Sequence, residues 1–112
     1  MKIKYNDKEM DLHWSYRVHI LFENATGYTI DKIKSSSDMN MLFYCVFIAT
    51  LQYNHIDEIV TSVDFMNWVD DNGNDKLFIE FNDWFLKIMT QEDELKKEPD
   101  EKDKKADVDP NV

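Results

Sequence analysis

At 112 residues the chain is the size of one domain, and a 43% apolar content can fill one core without a disulfide or metal staple. Two glycines and two prolines are too few for the tight turns of an all-β fold. A formal charge of −10, from 23 acids and 13 bases, argues against binding nucleic acid through its phosphates, which runs on lysine and arginine.

Taken in order, the chain opens with a predicted β-hairpin over 2–12. Ile3 and Tyr5 alternate with lysines, Asn6-Asp7-Lys8 supplies turn chemistry, and Met10 and Leu12 alternate with acids. Nothing after Met1 looks like the apolar segment of an export signal. A helix is then expected over 15–26, capped by Ser15 and ended by Gly27. Trp14, Val18, Leu21, Phe22 and Ala25 share the spacing of one buried face, with Arg17 and Glu23 off it. His13 and His19 lack the spacing of a metal-binding helix and read as ordinary surface or half-buried histidines. Asn24-Ala25-Thr26 reads as part of the helix end, not a glycosylation site.

The connector Tyr28–Ser37 carries two apolar anchors, Ile30 and Ile33, and a serine run able to cap the next helix. Met39 to Tyr53 is the stretch around which the rest must pack. Only Asn40, Thr50 and Gln52 interrupt its apolar and aromatic residues. As a helix over 38–53, its Met39–Tyr53 stretch spans roughly 22 Å, short of the ~30 Å of a bilayer core, so it belongs inside a small domain. Cys45, the single cysteine, lies within this run and reads as a small buried hydrophobe. Residues 54–61 form a connector anchored by Ile56, Ile59 and Val60.

A short helix is expected over 62–70, its cap at Thr61 or Ser62, with Asp64 placed for a capping box and Phe65, Trp68 and Val69 on one side. The turn Asp70–Asp75, DDNGND, invites a calcium reading that its spacing rejects. An EF-hand loop puts glycine sixth and glutamate twelfth; with Gly73 sixth, the twelfth residue is Ile79. A last helix over 75–95 carries the stripe Leu77, Phe78, Phe81, Trp84, Phe85 and Ile88. The tail 98–112, with almost nothing apolar, is expected to be disordered. The fold class is thus mainly α: an N-terminal hairpin on a bundle of about four helices, one domain over 1–97.

No phosphate-binding glycine loop and no nucleophile elbow occurs. No catalytic residue, cofactor or metal is expected. One similarity does carry a function. The hairpin IKYNDKEMDL runs into Leu12-His13-Trp14-Ser15-Tyr16-Arg17. An apolar stretch then ends in Phe22-Glu23-Asn24-Ala25-Thr26-Gly27, and a second apolar helix bears Phe43-Tyr44 and Ile48-Ala49. This order resembles the tail assembly chaperones of long-tailed bacteriophages and prophages, across roughly residues 1–55.

The resemblance implies a non-enzymatic, cytoplasmic protein of the bacterial host cell that binds a protein partner, the tape-measure or tail-tube protein. The acidic charge argues for no nucleic acid, and the short apolar run for no membrane. Docking would be of a helix in a groove. Tyr16, lying off the buried face of its helix, is the candidate contact, with Arg17 and Glu23 as its polar rim. The competing expectation is an acidic inhibitor or DNA mimic occupying a basic protein surface. Against it, nine of the 23 acids sit in residues 92–112 beside five lysines, which makes no fixed array.

Overall fold

The computed structural model describes the backbone of residues 1–107 and the side chains of residues 1–91. Strands β1 (Lys2–Tyr5) and β2 (Lys8–Asp11) form the expected antiparallel hairpin, with Ile3 opposite Met10 and Tyr5 opposite Lys8. Asn6 and Asp7 both have positive φ, the signature of a tight two-residue hairpin turn that asparagine and aspartate tolerate. Alternation then puts Ile3, Met10 and Leu12 on the buried side.

Helix α1 (Tyr16–Thr26) ends at Gly27, whose φ of 84° lets its N–H reach the Glu23 carbonyl. Ser15 sits at the N-cap without a side-chain capping bond. Val18 and Phe22 are fully buried and Trp14 and Leu21 half-buried, as the spacing predicts, but Ala25 is exposed. The buried face is therefore narrower at the C-terminal end than the sequence pattern suggests. A short 3-10 turn, Ile30–Lys32, buries Ile30 and leaves Ile33 half-buried.

Helix α2 (Ser36–Tyr53) is the core element. It starts before residue 38 because Ser35 takes the cap, its Oγ accepting from the Asp38 N–H at 3.1 Å. Leu42, Phe43, Val46 and Phe47 are completely buried. Thr50 is buried as well and fully used. Its hydroxyl donates to the Val46 carbonyl at 2.7 Å and accepts from the His13 N–H at 3.0 Å, which fastens the entry to α1 onto the core.

Helix α3 (Ser62–Asp71) opens with the expected capping box: Thr61 Oγ1 accepts from the Asp64 N–H, and the Asp64 carboxylate accepts from the Thr61 N–H, each at 3.1 Å. Its Trp68 Nε1 donates to the Lys4 carbonyl at 2.8 Å, tying α3 to the hairpin. Phe43 is the aromatic hub. Its ring stacks on Phe81 at 4.4 Å and meets Phe65 and Phe78 edge-on at 5.2 and 5.6 Å.

Helix α4 (Asn74–Asp107) begins after the turn at Gly73, which has φ 81°. Its predicted stripe is buried or half-buried from Leu77 to Ile88, with Glu80, Asp83 and Lys87 exposed. The assigned end lies past the one expected near 95. The expectation of a disordered tail over 98–112 falls outside the residues described with side chains, and 108–112 outside the described backbone. The chain forms two compact units, Met1–Phe81 and Asn82–Val112. Among the described residues no helix is long and apolar enough to cross a membrane.

Candidate functional site

Residues 54–61 decide the site. Helix α2 ends in a Schellman motif: the His55 N–H reaches the Gln52 carbonyl at 3.1 Å, and the Ile56 N–H reaches the Leu51 carbonyl at 2.9 Å. The residue at the left-handed position is His55, with φ 58°, where glycine is usual. The chain then turns back as an extended strap. Extended backbone alternates its side chains: Ile56 and Glu58 are half-buried and Val60 buried, while Asp57 and Ile59 point to solvent. Ile59, expected as an anchor, is 92% exposed. Helical spacing would have put it inside with Ile56 and Val60, but the strap is not helical.

Two bonds from the hairpin turn and one from α2 hold the strap in place. The Asn6 amide donates to Glu58 Oε1 at 2.7 Å, and Lys8 Nζ lies 3.6 Å from Glu58 Oε2. Tyr44 donates its hydroxyl to the Val60 carbonyl at 2.5 Å. Burial pushes that phenol's pKa up, with the neighbouring Cys45 and Asp64 adding to the effect.

Between α1 and the strap lies a cavity of about 520 Å³, floored by Tyr44, Cys45, Ile48 and Gln52 of α2. Leu21, Asn24 and Ala25 form its α1 wall. A second, open cavity of about 730 Å³ lies where Tyr16, Arg17 and Ile20 of α1 meet Gln52, Tyr53 and His55. Gln52 lines both, so the two cavities adjoin along α1 and α2, and the pair is called the furrow. The pairing of Tyr16 with Tyr53 at one end and Ala25 with Tyr44 at the other shows that α1 and α2 run antiparallel. The α1 residues of the furrow, 16, 17, 20, 21, 24 and 25, make one helical face about 14 Å long.

The furrow is apolar and open. Tyr16 is 77% exposed, Tyr53 58% and Ile20 42%. His13 stacks on Tyr53, with ring centroids 3.6 Å apart and planes within 11°, which holds that ring in position. Cys45 is buried in the floor, and burial pushes its thiol up to about 11, so at neutral pH it is a protonated apolar group and no nucleophile. Among the described residues no three His, Cys, Asp or Glu side chains lie close enough together to hold a metal ion.

Of the three residues expected at a partner surface, Tyr16 and Arg17 line the furrow, whereas exposed Glu23 lines neither part of it. Sequence reasoning missed the rest. Ala25 carried the spacing of a core residue and Ile59 that of an anchor. Tyr53 stood at the end of a run that was buried elsewhere, and nothing local marks it as a partner of Tyr16. Compared with known protein families, curated proteins and solved structures, the chain matches none.

Proposed function

We propose that this chain binds protein and catalyses nothing, its α1–α2 furrow receiving an apolar helical segment of a partner. The observation that carries this is the furrow itself: an open apolar channel on one helical face, walled by exposed Tyr16, Ile20, Tyr53 and Ile59. Exposed apolar patches of this kind mark interaction surfaces, and a channel between two helices suits a third helix. The N-terminal order that resembles tail assembly chaperones supplies the setting. The partner would be a tape-measure protein, shielded in the bacterial cytoplasm until the tail tube forms around it.

Co-expression with a tape-measure protein encoded beside this chain tests the proposal, scored by the partner's solubility and by co-purification. Soluble, co-purifying partner is expected, and Ile20→Asp together with Ile59→Asp should abolish both effects while leaving the fold intact. A partner that stays insoluble and does not co-purify overturns the chaperone role. Retention of the chain by a basic DNA-binding enzyme in the same assay would favour the acidic-inhibitor reading.

A further inference from the structure

Between its two ends the strap is held by side chains. At the start the Ile56 N–H bonds to the Leu51 carbonyl, and just past the strap the Thr61 N–H bonds to the Asp64 carboxylate. In between, among the described residues, the backbone of Asp57, Glu58 and Ile59 makes no hydrogen bond. Val60 makes one, its carbonyl accepting from the Tyr44 hydroxyl. The remaining clasp is Glu58, which takes the Asn6 amide and lies beside Lys8 of the hairpin. A segment with so few bonds opens at a lower free energy than the helices beside it.

Its position gives that opening a consequence. Residues 56–60 all line the cavity floored by Tyr44, Cys45 and Ile48, and of the five only Val60 is buried. The two posts of the strap differ. Thr61 is fixed in the capping box of α3, whereas His55 holds a left-handed φ of 58°. That conformation is strained for a residue with a Cβ, and lifting the strap lets it relax. A change of φ and ψ at one terminal residue of an element is how hinges work.

We propose that residues 56–60 are a lid, hinged at His55 and clasped to the hairpin turn through Glu58, which opens while the rest of the fold stays closed. Opening moves Ile56 and Val60 off α2 and uncovers Tyr44, Cys45 and Ile48. The lid belongs to the free chain and is independent of what the furrow binds.

Cys45 reports the motion, being the single cysteine and only 3% exposed in the closed form. Its alkylation by iodoacetamide is followed by mass on the full chain at pH 8 over a series of urea concentrations. At low urea the slow native rate should be flat, because lifting a strap exposes little surface, and should climb only where global unfolding takes over. Glu58→Ala should raise the flat rate about fivefold, the worth of one exposed hydrogen bond. His55→Gly should lower it about threefold, since glycine holds the closed conformation without strain. Asp11→Asn, which breaks the Lys2 pair elsewhere on the hairpin, should leave it unchanged. Hydrogen exchange distinguishes the lid from a lifting of α1. The Ile56 amide should open as readily as Cys45 reacts, and the Phe22 amide, within α1, only with global unfolding.

An alkylation rate that keeps the full urea slope of global unfolding down to zero urea overturns the lid. So does a Glu58→Ala rate equal to that of the unsubstituted chain, or a Phe22 amide that opens together with Cys45. None of these results bears on the co-expression test of the proposed function, which stands or falls separately.

Discussion

Replacing Phe43 by alanine probes the packing that joins α2 to α3 and the start of α4. The side chain is fully buried, and its ring is in contact with four others: Phe81, Phe65, Phe78 and Trp68. Removing a buried phenylalanine costs about 3–5 kcal/mol in lost transfer energy and residual cavity. The upper part of that range applies here, because ring pairs add about 0.5–1.5 kcal/mol each beyond area, and the lost ring made four. Against a total of about 5–15 kcal/mol for a domain, Phe43→Ala should remove a third or more of the stability. Urea unfolding followed by tryptophan fluorescence and by helical circular dichroism measures it. With a slope of about 1–3 kcal/mol per molar urea, the midpoint should fall by roughly 2 M at constant slope. The double variant with Phe81→Ala should lose less than the sum of the two singles, since each alone already breaks the stacked pair. A midpoint shift worth under about 1 kcal/mol, or strict additivity with Phe81→Ala, would refute the stacking of these two rings in the core.

Three further outcomes rest on single groups. Thr50→Val keeps the shape but strands the His13 N–H in a part-buried site, and a thermal melt should show a loss of about 1–3 kcal/mol, smaller for Thr50→Ser; a neutral valine variant would contradict the bond. His55→Gly should stabilise the protein by about 0.5–1 kcal/mol, relief of left-handed strain exceeding the added chain entropy, and a lower melting temperature would contradict the assigned conformation. The Cys45 thiol is raised from 9.0 to about 11 by burial, so the folded state favours its protonated form. The stability this contributes is complete below about pH 9 and is lost as pH rises through about 11. Alkylation of the native protein should accordingly be slow at pH 8 and accelerate on adding urea; fast native alkylation would contradict the buried thiol.

The elements legible in the sequence are those set by neighbours close along the chain. Met39–Tyr53 is apolar on every side, and no arrangement of a small domain leaves such a helix anywhere but the centre; eight of its residues are buried. The capping box at Thr61 and Asp64 and the left-handed stop at Gly27 depend on atoms within four residues, so pattern alone locates them. The hairpin turn at Asn6-Asp7 is legible for the same reason.

The furrow was decided only by tertiary structure, because its walls come from stretches with no local relation. Tyr16 and Tyr53 lie on different helices and share a cavity only through the antiparallel packing of α1 on α2. Ala25 and Ile59 obey helical spacing in the sequence yet are exposed, one because α1 passes the end of its buried face, the other because the strap is extended and alternates. The strap's course depends on Glu58 meeting Asn6 and Lys8, partners about fifty residues away along the chain. Period and propensity register what a residue can bury. Which side a neighbour leaves open is a property of the packed chain, and at 54–61 that choice turned a connector into the wall of a site.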